Sequence, residues 1–271
     1  MPELPEVETT LRGIEKHIIG ETVRKVVVRT DKLRWPIPVN LNSSLKGRSI
    51  NSAERRAKYI FLNSDKGSLI VHLGMTGSLR VIDTNTPLQK HEHIDIQLTN
   101  GQVLRYKDPR KFGAFLWTSE NPHEHKLIKK LGPEPLSNEF NADYLIDTCR
   151  KRKAAIKAHI MNQNIVVGIG NIYASEALFK AGIHPTKAAH RVSKEKLKLL
   201  VKTSKQTLKA AIKQGGTTLQ DYINPDGAPG YFAIKLKVYG REGEPCTNCA
   251  KPIKAKVIGQ RNSFYCTNCQ K

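Results

Sequence analysis

Cys246, Cys249, Cys266 and Cys269 are spaced C-x2-C-x16-C-x2-C. Two residues between ligands let both thiolates of one turn reach a single tetrahedral ion at about 2.3 Å. The overall spacing is that of a four-thiolate zinc site. Between the pairs lie apolar Ile253, Val257 and Ile258, then Phe264 and Tyr265, enough for a β-hairpin that returns the second pair beside the first. Four protein ligands leave the metal no open position, so the expectation is one structural Zn2+ with no catalytic role. Cys149 stands apart in a helical pattern and reads as an inert core thiol.

A second reagent lies at the other end. The chain opens Met1-Pro2-Glu3, and removal of Met1 leaves a proline with a free secondary amine. A terminal amine has a reference pKa of about 7.7–8.0, so on the order of a tenth is neutral at pH 7. Condensed with a sugar aldehyde carbon, a secondary amine gives an iminium that is always cationic, a permanent electron sink. Glu3 and Glu6 are adjacent acids that can donate protons or orient the amine.

Other segments carry weaker signals. GIGNIY at 168–173 opens a helical pattern, and backbone N–H groups at a helix start bind phosphate, with Asn171 adding a donor or a cap. It is not a dinucleotide fingerprint, because Tyr173 replaces the third glycine. Glu176, one turn on, can bond back to the loop amides. HEHID at 91–95 places two histidines on one strand face, but Glu92 and Asp95 close no ligand set. An imidazole near phosphate and a plain strand end both remain open there. Arg261, between the cysteine pairs, fits a phosphate contact or a solvated turn.

These groups need elements to hold them. Leu4, Val7, Leu11, Ile14 and Ile18 recur at 3-4-3-4 spacing, one apolar helix face, with Pro5 in the first turn and Gly20 as the stop. TVRKVVVR, KYIFLN, SLIVHL and GAFLW, rich in β-branched and aromatic residues, read as strands. Ile94, Ile96 and Leu98 alternate into Asn100-Gly101, a hairpin signal, with Val103 beginning the return. GPEPLS at 132–137 marks a boundary. Helical patterns follow at Tyr144–Cys149, at Ile172–Ala181 and over 193–213, the last capped by Ser193 and stopped by Gly215-Gly216. The stretch 217–235 has no clear period and is longer than most connections. The fold class expected is α+β.

Composition sets the frame. The 271 residues carry 45 Lys and Arg against 24 Asp and Glu, a formal charge of +21 and a pI near 9.8. Residues 1–135 hold 22 basic and 15 acidic side chains, a net of +7, and residues 136–271 hold 23 and 9, a net of +14. A basic chain of globular composition points to a polyanion as partner. No apolar run is of membrane-spanning length, and the acidic start MPELPEVETT is no signal peptide, so neither a membrane protein nor a secreted one is expected.

The segments MPELPEVET, RRAKY at 55–59, HLGMTGSL at 72–79, DPRKFG at 108–113, LGPEPL at 131–136, VVGIGNIYASEALF at 166–179 and the terminal CTNC…QRNSFYCTNCQK run in order from end to end. Together they resemble the bacterial formamidopyrimidine-DNA glycosylases. The resemblance implies a catalytic β-sandwich with a leading helix (1–131), a helical helix–two-turn–helix DNA-binding domain (132–240) with a loop covering the damaged base (217–235), and a four-cysteine zinc finger (241–271). It implies a monomer in the bacterial cytoplasm, associated with the nucleoid through its DNA. The partner is double-stranded DNA containing oxidised purines, which the family excises before cutting the abasic strand.

Residue by residue, the resemblance makes Pro2 the Schiff-base nucleophile and Glu3 the general acid that helps open the sugar. It places Glu6 in the same pocket and makes Lys58 a proton donor or phosphate contact. Arg261 clamps the phosphate and assists the second elimination. Asn171, His91 and Arg152 fall at DNA-contacting positions, Arg152 within the run RKRK at 150–153. Met75, Arg110 and Phe112 match the trio that fills the hole left by an extruded nucleotide. An apolar wedge of that kind offsets the few kcal/mol that extrusion costs. By residue type alone, Met75 and Phe112 read as core residues, and it is the resemblance that reverses that reading.

Two other readings stand beside this one. An endonuclease VIII-like enzyme for oxidised pyrimidines shares the Pro-Glu start and the finger, though ELPEVET, Phe112 and the full-length loop argue against it. A non-catalytic zinc-ribbon nucleic-acid binder explains charge and cysteines but leaves Pro2, Glu3 and Lys58 without a purpose.

Overall fold

The computed structural model describes residues 2–216 and 236–271. The expected covering loop, 217–235, and Met1 lie outside the described residues. The chain divides into two compact units, Met1–Lys129 with Gln214–Tyr231, and Lys130–Lys213 with Phe232–Lys271.

The first unit begins with α1 (Leu4–Ile18). Its five periodic apolar residues are all buried, each contributing roughly 1.5–3 kcal/mol of transfer free energy when fully withdrawn from water. The strands that follow are β1 (Val23–Val28), β2 (Ser52–Arg56), β3 (Tyr59–Ser64), β4 (Gly67–His72), β5 (Ser78–Asp83), β6 (Glu92–Leu98), β7 (Gln102–Lys107) and β8 (Ala114–Thr118), with a short α2 (Leu41–Leu45) after β1. They form two antiparallel four-stranded sheets, ordered β1-β6-β7-β5 and β2-β3-β4-β8. One apolar core takes Val26, Ile96 and Leu104 from the first sheet, Ile60, Leu69 and Phe115 from the second, and the inner face of α1. This is the expected sandwich with a leading helix.

The Asn100-Gly101 turn joins β6 to β7, and the Asn100 side chain accepts the Gln102 N–H at 3.0 Å. Strand β2 was not expected. Its sequence SAERR has no apolar alternation, because it is an edge strand whose residues are exposed or half-buried. Lys58 was expected to begin β3. It lies instead in the two-residue turn between β2 and β3, since Arg56 already pairs with Tyr59.

The second unit holds α3 (Ala142–Cys149), α4 (Ile156–Ile160), α5 (Asn171–Ala181), α6 (Lys194–Lys213) and the hairpin of β9 (Lys254–Ile258) and β10 (Arg261–Tyr265). Asn141 caps α3 by accepting the Tyr144 N–H at 3.0 Å. Ser193 caps α6 through the Lys196 N–H at 3.3 Å, and Gly215 and Gly216, both at positive φ, follow its end. Among the described residues no helix is long and apolar enough to cross a membrane.

Candidate functional site

Helix α1 presents the amino-terminal acids. Pro2, Glu3 and Glu6 are all buried. Glu3 is the N-cap, and a reciprocal capping box forms. In it the Glu6 Oε2 accepts the Glu3 N–H at 2.8 Å. Glu6 therefore has a structural role that spacing alone did not specify: it fixes the backbone on which Pro2 and Glu3 are carried.

Arg55 ties the Lys58 turn to this helix. Its Nε donates to Glu8 Oε2 at 2.8 Å, and its Nη1 donates to the Ala57 carbonyl at 2.9 Å. Burial opposes ionisation of Glu8, but the hydrogen bonds and charges of Arg55, then Arg12, outweigh it and hold the carboxyl below its ordinary range. Ala57 is buried at φ +56, a left-handed conformation that costs a non-glycine residue on the order of 1 kcal/mol. The arginine clamp holds that turn in place.

His72, at the end of β4, accepts the Gly74 N–H on Nδ1 at 3.0 Å, and its ring packs on Tyr59 with centroids 4.8 Å apart. Burial first, then the charges of Lys58 and Arg34, push its pKa down to about 4. The imidazole is neutral in the ordinary working range, and with Nδ1 accepting, its proton is on Nε2. Sequence reading missed both His72 and Arg34. The only signal was their place in HLGM and LRWP, with no spacing rule to mark them.

Met75 is half-buried, Arg110 exposed, and Phe112 is 43% exposed with the Arg110 guanidinium 4.8 Å from its ring centroid. Phe112 is therefore not a core residue. His91 adopts φ +70 and its ring lies 6.4 Å from that of His93. The neighbouring carboxylates are committed elsewhere. Asp95 accepts Arg105 Nε at 2.8 Å and Arg29 at 2.6 Å, and Glu92 accepts Arg105 at 3.1 Å. Burial opposes ionisation of Asp95, but the two arginines outweigh it and keep its pKa below the usual range. No acid is left at 91–95 to complete a metal site.

In the second unit Asn171 starts α5 and reaches the hairpin. Its Nδ2 donates to the Asn262 carbonyl at 2.9 Å, and its Oδ1 accepts the Lys157 ammonium. Lys157 also donates to Ser263 Oγ at 2.6 Å. This buried lysine was not singled out from the sequence, because its partner in β10 is 106 residues away. The bridge sets exposed Arg261 beside the start of α5. Arg152 is exposed just beyond α3, and its carbonyl accepts His190 Nδ1–H at 3.0 Å.

Glu176 does not bond to the 168–171 loop, as its position had suggested. Its buried carboxylate accepts the N–H groups of Lys237, Val238 and Tyr239 at 2.9–3.0 Å. It thereby ties α5 to the chain entering the finger.

The four finger thiols lie within 4.8 Å of one another, with Cys246–Cys269 at 3.9 Å and Cys249–Cys266 at 3.5 Å. Ligands about 2.3 Å from a tetrahedral ion stand about 3.8 Å apart, so the donor set fits one zinc. The Lys251 N–H chiefly pulls Cys249 down to about 7, while burial and the three neighbouring thiols push Cys269 up to about 12. Such a cluster ionises fully only around a cation. Cys149, buried and pushed up to about 11 by desolvation, is the inert thiol expected.

Comparison with known proteins agrees with this layout. Three family models match: the formamidopyrimidine-DNA glycosylase N-terminal domain over residues 1–115, its H2TH domain over 131–222, and a zinc finger found in FPG and IleRS over 243–271. A formamidopyrimidine-DNA glycosylase of Nitrosococcus oceani is 52% identical over 270 residues, covering 100% of both chains. The Lactococcus lactis Fpg crystallised with N7-benzyl-Fapy-dG DNA superposes with a TM-score of 0.92 at 32% identity, covering 100% of both chains. The Thermus thermophilus MutM (FPG) structure gives 0.88 at 34% identity, covering 99% of this chain and 98% of that one. End-to-end identity at this level, with all three domain models in order, shows that the chain belongs to the formamidopyrimidine-DNA glycosylase family.

Proposed function

We infer that the chain is a bifunctional DNA glycosylase and abasic-site lyase of base excision repair, which removes oxidised purines from double-stranded DNA. The observation that carries this is the buried Pro2-Glu3 pair at the head of α1, held by Glu6, in a chain similar throughout to an enzyme crystallised on Fapy-dG DNA.

The neutral Pro2 nitrogen adds to C1′ and the damaged base leaves with the glycosidic electron pair. Glu3 gives a proton to O4′ as the sugar ring opens, leaving an iminium at C1′. Loss of the C2′ proton into this sink expels the 3′-phosphate. A second proton loss expels the 5′-phosphate and leaves a one-nucleotide gap. Lys58 supplies a proton or a phosphate contact, and its charge and that of Arg34, both acting on the neutral His72, make a positive region suited to a phosphate. Arg261, beside Asn171, holds phosphate and assists the second elimination. Arg152 and His91 are further backbone contacts, and Met75, Arg110 and Phe112 fill the vacated stack. The zinc is structural. The enzyme works as a monomer in the bacterial cytoplasm, reaching the nucleoid through its DNA affinity.

Borohydride reduction should lock the protein to 8-oxoguanine DNA through Pro2. Absence of an adduct, or equal trapping by Pro2→Gly in the same time, overturns the assignment. Faster cleavage of thymine glycol·A than of 8-oxoguanine·C would favour the oxidised-pyrimidine reading.

A further inference from the structure

Three loops converge on one buried residue. Asp108 has no exposed surface. Its Oδ1 accepts the Thr76 hydroxyl at 2.6 Å and the Arg110 N–H at 3.3 Å. Its Oδ2 accepts the Tyr106 hydroxyl at 3.0 Å and the Gly113 N–H at 2.9 Å. The Asp108 main chain is engaged as well: its N–H donates to the His91 carbonyl at 3.0 Å, and its carbonyl accepts His93 Nε2–H at 3.0 Å. One residue thus touches the loop of Met75, the loop of Arg110 and Phe112, and the strand entry at His91.

The surroundings leave little freedom. Tyr106 is fully buried, and burial, then Asp108, push its pKa well above the ordinary value, so its hydroxyl stays a donor. A Cβ at Gly74 would stand 2.4 Å from the Phe112 carbonyl carbon, and one at Gly113 would stand 1.7 Å from the Tyr106 oxygen. The two loops therefore pack backbone against backbone, without room for a side chain between them. A buried carboxylate is tolerable here because four donors replace its water.

We propose that Asp108 is a positioning residue that couples the Met75 loop to the Arg110–Phe112 loop, so that the three side chains enter the vacated base stack as one preformed wedge. A wedge on independently mobile loops must order itself at the moment of extrusion, and that entropy adds to the barrier. Held by one carboxylate, the loops are ordered beforehand. The proposal rests on reading Met75, Arg110 and Phe112 as the void-filling trio.

The test uses the full-length zinc-loaded chain and two substrates. One is a duplex with 8-oxoguanine opposite cytosine, where extrusion empties a paired stack. The other is a single strand with an abasic site, scored by borohydride trapping, where nothing is extruded. Thr76→Val cuts one strut and spares the carboxylate. It should lower kcat on the duplex by about tenfold, with trapping on the single strand within about twofold of the parent. Thr76→Ser, which keeps the hydroxyl, should restore the duplex rate. Asp108→Asn should follow Thr76→Val more strongly, and if it fails to fold, Thr76→Val carries the test. Equal loss on both substrates, or none on either, overturns the coupling. Met75→Ala separates the two ideas. If it too leaves duplex cleavage unchanged, the wedge reading is wrong; if it slows the duplex while Thr76→Val does not, only the coupling is wrong.

Discussion

The Glu6 carboxylate holds the Glu3 main chain, accepting its N–H at 2.8 Å in a buried capping box at the start of α1. Pro2 and Glu3, the nucleophile and general acid of the proposed mechanism, therefore ride on a backbone that another acid fixes. Glu6→Gln preserves the geometry, since glutamine also closes a capping box. It should leave borohydride trapping within a few-fold of the parent. Glu6→Ala removes the bond and should cost about 1 kcal/mol of stability. It should also slow trapping much more than the glutamine variant does. Equal trapping by the two variants would mean that Glu6 acts otherwise than through this hydrogen bond.

Glu176 accepts three N–H groups from residues 237–239 and has almost no exposed surface. Removing it leaves three donors without their carboxylate. Glu176→Ala should destabilise the chain by about 3 kcal/mol or more, since hydrogen bonds to a charged group contribute roughly 1.5–3 kcal/mol each and are not additive. Chemical denaturation would measure this. Glu176→Gln, which keeps one acceptor, should lose less.

The finger core is small: Phe179, Val238, Ile253 and two of the cysteines. Without metal its four thiols have little else to hold them together, so chelation should unfold it. Elemental analysis should find one zinc per chain. After chelation, duplex DNA affinity should fall by about tenfold or more, as Arg261 loses its place beside Asn171. Readdition of zinc should restore it. Full affinity in the metal-free chain would remove Arg261 from the phosphate grip.

His72 is half-buried, and desolvation of its ring holds its pKa at about 4 against an ordinary 6.5. The folded state resists protonation more than the unfolded state does. Stability is therefore greatest above pH 6.5 and falls as pH drops from 6.5 towards 4, by up to about 3 kcal/mol from this group. Other buried histidines contribute with the same sign, so the comparison must be with His72→Gln. The stability of the parent relative to this variant should decline across that window. Parallel curves would show that His72 protonates freely in the fold.

Much of the architecture follows from neighbours in the chain. The 3-4 periodicity of α1, the Asn100-Gly101 turn, the Ser193 cap and the two CxxC turns are each specified within a few residues, and each is found where the spacing puts it. Polar β2 escaped notice because an edge strand with no fully buried residue needs no apolar alternation. Phe112 could not be told from core by type, because exposure is decided by the loop that carries it.

The sequence by itself determined the local elements, the zinc ligands and the family, since all of these lie in residue type and short spacing. Only the tertiary structure decided the partners of the buried polar groups. Asp108 meets Thr76 across 32 positions, Glu176 meets Val238 across 62 and Lys157 meets Ser263 across 106. A buried charge needs a partner, but nothing in its own neighbourhood says which. That choice is made when distant segments pack together, and in this chain it determines how the chemical groups are held.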